Sequence, residues 1–349
     1  MTVRSSAFPL FCLLLLVTAC GSGDGASAAD PDAVTDATLP ATVTDPAIAE
    51  LTTAIAADPE NAELYAQRAA LQYDKDNYDA AIADLSAALR RDSTNVGYHW
   101  NLADVYLDYY RSRLALRTLE RAIELDPDNV ETRLRLAETQ LILKQYDEAV
   151  ASLNEAVRVD PRNPEAYLLL SQTFVEAGDT ARAIKAAEEA TEIDPDLTDA
   201  YLLLGQLLFK KGLPNAGRYF DAAVAIDPED PVSLHAKGDY LRDSERLPEA
   251  IASYRAASLA DRQYVAGHFN AGLLYMELDS LPQAIREFDL VIKNDPVHIR
   301  GYFFRGYAYE GAGDTQRACA DYDQVLRYTP DYELALQAFE RLGCREGTK

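Results

Sequence analysis

The chain has 349 residues, 48% of them hydrophobic and 26% charged, and its 57 acids against 33 bases give a formal net charge of -24. That balance disfavours nucleic acid and anionic lipid surfaces as partners, because polyanions are bound by clustered Lys and Arg that release counterions. Four Cys exclude a disulfide-dense miniprotein, and four scattered His (His99, His235, His268 and His298) exclude an obvious zinc site.

The N-terminus places Arg4 ahead of an apolar run from Ala7 to Val17, interrupted by Pro9. A spanning helix needs about 20 apolar residues, whereas a basic start, a short apolar centre and small residues before a cut mark an export signal. Val17-Thr18-Ala19-Cys20 resembles the bacterial lipobox, which is cut before the Cys so that the new terminal residue carries lipid. The resemblance makes residues 1–19 a lipoprotein signal peptide and Cys20 the lipid attachment site, the chain's expected contact with a bilayer. The other reading is an ordinary secretory signal with a chance Cys. Each buried methylene contributes about 0.8 kcal/mol, so one acyl chain holds marginally and two or three hold firmly. Residues 20–45 are small, acidic and Pro-containing, without Lys, Arg or aromatic residues. Such a composition predicts a disordered linker, whose reach as a flexible coil is roughly 25 to 30 Å.

Beyond the linker the chain repeats itself. Asp-Pro pairs close apolar helical patterns at Pro59, Pro127, Pro161, Pro195, Pro228 and Pro296, with Thr-Pro at Pro330. Their spacings are 68, 34, 34, 33, 68 and 34, and Asp92-Ser93 and Asp261-Arg262 stand where the two long gaps hide a degenerate pair. With that Pro as position 32, eight units fall at 62–95, 96–129, 130–163, 164–197, 198–230, 231–264, 265–298 and 299–332, the fifth one residue short. Apolar or small residues recur at positions 4, 8 and 11 and again at 20, 24 and 27, the spacing of one helical face, so each unit reads as a helix pair. Position 8 is small throughout (Ala69, Ala103, Ala137, Ser171, Gly205, Gly238, Gly272, Gly306), and position 20 is Ala in every unit, from Ala81 to Ala318. Position 24 is large (Leu85, Leu119, Leu153, Phe220, Tyr254, Phe288, Tyr322) except at Ala187.

This pattern resembles the tetratricopeptide repeat, although the family's Trp at position 4 is absent. The resemblance implies an all-α, right-handed superhelical solenoid of eight helix-turn-helix repeats over residues 62–332. Residues 46–61 read as an N-terminal half-repeat, with Ala47, Leu51 and Ala54 at positions 20, 24 and 27, and residues 333–349 as a C-terminal capping helix and tail.

In the family the first helix of each pair lines a concave wall through positions 2, 5, 6, 9, 12 and 13. Carried over, these positions nominate Trp100, Asp104, Asp108, Leu134, Glu138, Leu168, Gln172, Leu202, Phe209, Asp239, Phe269, Met276, Phe303 and Tyr307 as a partner-binding groove. An aromatic and aliphatic strip with carboxylates and few cations suits an apolar protein segment carrying Lys or Arg. For positions 5 and 6 the alternative is that the side chains pack against adjacent helices. The Lys and Asn clamp with which some family members grip a C-terminal carboxylate is missing.

No nucleophile with a base and an orienting group is recognisable. His99 and His268 share an inward repeat position and read as packed imidazoles, while Gly178, Gly212 and Gly313 occupy the turn at position 15. Neither a cofactor nor a metal is expected. Cys319 and Cys344 fall near one end of the last pair, where an oxidising compartment permits a disulfide closing a loop of about 25 residues, worth roughly 3 to 4 kcal/mol; two free thiols are the alternative. The resemblances imply a non-enzymatic, lipid-anchored interaction scaffold or assembly adaptor of the bacterial cell envelope. Gly21, where an Asp would signal inner-membrane retention under enterobacterial sorting, favours the outer membrane. A polysaccharide-binding or export component, stacking sugars on the aromatic wall, is the alternative function.

Overall fold

The computed structural model describes residues 45–344. Cys20, the signal-like segment 1–19, the linker up to residue 44 and the tail 345–349 lie outside the described residues. Every regular element among the described residues is an α-helix. Helix α1 (Pro46–Ala57) comes first, and eight pairs follow it. They are α2 and α3 (Ala62–Tyr73, Tyr78–Arg91), α4 and α5 (Val96–Asp108, Ser112–Leu125), α6 and α7 (Val130–Ile142, Tyr146–Val159), and α8 and α9 (Pro164–Glu176, Thr180–Ile193). Then come α10 and α11 (Thr198–Lys210, Ala216–Ile226), α12 and α13 (Pro231–Asp243, Leu247–Ala260), α14 and α15 (Ala266–Glu277, Leu281–Asn294), and α16 and α17 (Ile299–Gly311, Thr315–Tyr328). Helix α18 (Glu333–Arg341) closes the series.

Local chemistry explains the punctuation. The Asp of each Asp-Pro pair is an extended C-cap, as at Asp126, Asp160, Asp194, Asp227 and Asp295. A residue before proline is pushed out of the helical region, and the proline itself cannot continue the helix. Two residues later Asn61, Asn95, Asn129, Asn163, Asp230 and His298 act as N-caps, each side chain accepting a hydrogen bond from a first-turn N–H. Such a cap contributes about 1 kcal/mol. The turn inside every pair needs one left-handed residue at position 15: Gly178, Gly212 and Gly313 have φ of 80°, 69° and 79°. Asp76, Tyr110, Lys144, Glu245 and Asp279 adopt the same region without being glycine.

Packing follows the repeat positions. The recurring alanines from Ala81 to Ala318 are at most 2% exposed. In the first three pairs an alanine at position 8 shares a cluster with a leucine at position 24: Ala69 with Leu85, Ala103 with Leu119, Ala137 with Leu153. In the last four a glycine faces an aromatic ring: Gly205 and Phe220, Gly238 and Tyr254, Gly272 and Phe288, Gly306 and Tyr322. Helix α11 has only 11 residues and begins at Ala216, because Leu213-Pro214-Asn215 spend the first turn of the short fifth unit in a loop. From α2 onward the helices of each pair pack on one another, and each second helix packs on the first helix that follows it, the nearest-neighbour pattern of a solenoid.

The N-terminal half-repeat uses a different face from the one expected. Ile48 and Ile55 are buried, Leu51 and Ala54 are half-buried, and Ala47 is exposed. These isoleucines hold positions 21 and 28, which elsewhere meet the following pair, as Leu116 and Ile123 do against the cluster containing Leu136. Helix α1 is joined to α2 by Arg68 Nη1, which donates to Thr52 Oγ1 at 3.0 Å.

Candidate partner-binding wall

Successive first helices approach one another directly, α4 with α6, α6 with α8, α10 with α12 and α14 with α16, while no two second helices pack as closely. The first helices therefore line the inner side. Bonds across their seams fix several side chains. Arg135 of α6 reaches back to both carboxylate oxygens of Asp104 on α4 at 3.0 Å and to Glu131 at 2.7 Å. Its guanidinium lies 5.2 Å from the Trp100 ring, whose Nε1 donates to Thr132 Oγ1 at 2.8 Å. Tyr73 donates to Asp108, and Tyr98 to Glu63.

Further along, Asp239 accepts from the Tyr254 hydroxyl at 2.7 Å and pairs with Arg242 at 3.0 Å. Its neighbour His235 places Nε2 3.1 Å from Asn270 Nδ2. Arg300 covers the Phe269 ring at 4.7 Å. Glu310 is held by the Tyr322 hydroxyl and by Arg341, both at 2.8 Å.

Of the residues nominated from sequence, Glu138, Gln172 and Tyr307 are exposed, and Trp100, Asp104, Asp108, Leu168, Phe209, Asp239 and Met276 are half-buried. Four are corrections. Leu134, Leu202, Phe269 and Phe303 are only 6 to 8% exposed and belong to the packing between helices. Leu134 joins the cluster of Ala149 and Leu153, and Leu202 lies in one with Phe220. The Phe269 ring meets Phe288 and Phe304, and that of Phe303 meets Tyr322 and Tyr332. In these four units the position-5 side chain fills the space between helices before it can face a partner, whereas Trp100 and Leu168 at the same position stay half-buried.

Three wall residues escaped the sequence reading. Glu165 and Asp199 hold position 2, and Ile142, 56% exposed, holds position 13. Tracing every wall position along all eight first helices finds them. Although Glu138 is exposed, desolvation by the surrounding wall raises its pKa, which Arg135 lowers and Glu131, Asp104 and Glu165 raise further. Asp199, also exposed, is raised by desolvation among the first helices and by Asp230, and the half-buried Asp104 by desolvation in spite of Arg135.

The inward histidines are packed. His268 Nδ1 lies 2.7 Å from Glu287 Oε2, and Arg255 meets the other oxygen at 3.1 Å. His99 Nε2 lies 3.3 Å from the Ser93 carbonyl, and burial lowers its pKa. No group of three or more His, Cys, Asp or Glu among the described residues is arranged to hold a metal ion. A disulfide joins Cys319 to Cys344, with Cα atoms 5.5 Å apart, and ties the end of α18 to α17.

Tetratricopeptide repeat family models match residues 110–173, 44–96, 168–231, 235–299 and 270–333. No curated protein sequence matches the chain. Among solved structures, the C-terminal part of a TPR repeat-containing protein from Cytophaga hutchinsonii superposes with a TM-score of 0.54 at 16% identity, covering 68% of this chain and 98% of that one. Yeast Tom70 gives 0.51 at 18% identity, over 76% of this chain and 59% of its own. YrrB, described as a TPR protein with an unusual peptide-binding site, gives 0.44 at 21% identity, over 54% and 97%. Tetratricopeptide proteins act as scaffolds for protein–protein interaction, and the fold is typically non-enzymatic. By the repeat period, the paired helices and the family models that span most of its length, the chain belongs to the tetratricopeptide repeat family.

Proposed function

We propose that the chain is a non-enzymatic scaffold or assembly adaptor that holds a segment of another protein along the inner wall. The observation that carries this reading is a wall on which polar and apolar side chains outside the core remain accessible: Glu138, Gln172 and Tyr307, with Leu168, Phe209 and Met276 half-buried beside them. With Phe269 and Phe303 packed inside, the aromatic faces a sugar would stack on are fewer, which favours a protein partner over a polysaccharide. In-cell photo-crosslinking from Gln172 and Tyr307, followed by identification of the attached protein, tests it. Crosslinks only from Ala151, exposed on the second helix α7 away from the first-helix wall positions, would defeat it.

The same proposal places the protein at the bacterial cell envelope, anchored by lipid on Cys20 and residing at the outer membrane. The lipobox-like tetrapeptide ending at Cys20 supports the anchor, and Gly21 supports the outer membrane. The Cys319–Cys344 bond suits an oxidising compartment. No helix among the described residues is long and apolar enough to cross a membrane. Labelled palmitate incorporated by the native chain and lost in Cys20→Ala, together with membrane fractionation, tests the anchor.

A further inference from the structure

Charge on the inner wall is unevenly satisfied. Towards the N-terminus Arg135 is engaged by Asp104 and Glu131, and Tyr73 and Tyr98 serve Asp108 and Glu63. Towards the C-terminus Arg242 serves Asp239 and Asp243, and Arg341 serves Glu310. Between these, α6, α8 and α10 carry Glu138, Glu165 and Asp199, and among the described residues no hydrogen bond or ion pair is made by any of the three carboxylates. Glu138 and Glu165 stand on neighbouring first helices and repel one another. Lys210, at the other end of α10 from Asp199, is about 16 Å away along the helix axis at 1.5 Å per residue.

The same stretch is apolar between the charges. Ile142 is 56% exposed, and Leu168, Val175, Leu203 and Phe209 are half-buried. The cation that acts on Glu138, Arg135, is already paired with Asp104 and Glu131, so an anionic partner would add repulsion to carboxylates that this cation does not neutralise. A segment that brings cations restores the balance and covers the aliphatic surface. Electrostatic complementarity of this kind selects the partner and its register more than it adds raw affinity.

We infer that the central sector of α6, α8 and α10 is where the wall takes its partner: an aliphatic protein segment with two Lys or Arg, one cation between Glu138 and Glu165 and the other at Asp199. This rests on the scaffold reading above and gives it a place and a chemistry. The probes are labelled nine-residue peptides of Leu and Gly carrying two Lys at spacings of two, three or four residues, each with a twin in which Gln replaces Lys. Anisotropy titration of the purified full chain is expected to favour one Lys spacing over its twin. The Glu138→Gln/Asp199→Asn variant is expected to weaken that peptide about tenfold. The Glu188→Gln/Glu189→Gln variant on the exposed face of α9 removes the same charge and is expected to shift affinity less than about twofold. Equal losses in both variants, or a Gln twin that binds as well, overturn the inference. If Gln172 still crosslinks to a cellular protein while the peptides show no dependence on the sector, the scaffold stands and this assignment falls. If the wall gives no crosslinks, the scaffold reading is the one that fails.

Discussion

The Cβ that Gly238 lacks would stand 2.6 Å from the Tyr254 ring, so the sixth pair closes because position 8 carries only hydrogen where position 24 is aromatic. Across the array the two positions trade volume: alanine meets leucine in the first three pairs and glycine meets an aromatic ring in the last four. Within a helix Ala is ordinarily better than Gly by about 1 kcal/mol. Overpacking by one methyl costs about 1 to 3 kcal/mol, so Gly238→Ala is expected to destabilise. Gly205→Ala, whose new methyl would be 3.0 Å from the edge of Phe220, is expected to be nearly neutral. Adding Tyr254→Leu to Gly238→Ala recreates the alanine–leucine pairing, and the double variant should cost less than the sum of the singles by about 1 kcal/mol or more. Denaturant unfolding of the four chains measures that coupling, and strict additivity would refute the volume exchange.

Phe303 and Tyr307 are one turn apart on α16 and have opposite surroundings, 8% against 50% exposed. Truncating the first leaves a cavity under Tyr322 and Tyr332, so Phe303→Ala is expected to cost about 3 to 5 kcal/mol. Tyr307→Ala is expected to stay within about 0.5 kcal/mol of the native chain while reducing partner capture in the crosslinking assay. A Phe303→Ala chain that unfolds normally would return that ring to the groove.

The period was legible because it rests on short-range chemistry: an Asp-Pro stop, a cap two residues later, and an alanine at every position 20 whose burial depends on its own pair. Side-chain direction at position 5 depends on the neighbouring pairs instead. Leu134 and Leu202 are buried, yet Leu168 at the same position is half-buried and the fourth pair buries Leu169 in its place. Residue type cannot separate these leucines, since the seam between successive first helices decides which one fills it. Glu165 and Asp199 were missed for another reason: a carboxylate at a helix start reads as an ordinary favourable first-turn acid. Its lack of a cation is evident only once the helices on both sides are in place.

The Cys319–Cys344 bond constrains a loop whose ends are 25 residues apart in sequence. Chain entropy sets an upper contribution of roughly 3 to 4 kcal/mol for such a loop. Helix α18 keeps its Arg341–Glu310 pair and the contact of Phe303 with Tyr332 when the bond is removed. Reduction, or Cys319→Ser with Cys344→Ser, is therefore expected to loosen α18 ahead of the rest of the array. Hydrogen exchange should quicken in residues 333–341 while α6 to α9 are unchanged, and intact mass should rise by about 2 Da on reduction. Unaltered exchange in α18 would show that the bond contributes little to the cap.

Glu138 and Asp199, both exposed on the wall, give it a pH dependence whose sign is set by desolvation of their carboxylates among the surrounding helices. Both carboxyls are raised above their ordinary values, desolvation by the surrounding wall being the largest cause, and because both side chains are exposed, solvent screening keeps the effect on stability small. As pH falls, the folded chain takes up these protons before the unfolded chain does, so their cost is fully present at pH 7 and is relieved towards the unfolded value near about 4. Glu138→Gln with Asp199→Asn is therefore expected to raise the unfolding midpoint at pH 7, with the gain shrinking as pH falls. His99, His235 and His298 act in the opposite sense, because burial lowers their pKa values and the unfolded chain protonates first below about 6.5. Those histidines are common to both chains and cancel in the comparison. A gain that does not change with pH would assign the effect to packing and not to charge. The Lys peptide should lose affinity over the same acidic window, since a protonated Glu138 offers its ammonium no counter-charge.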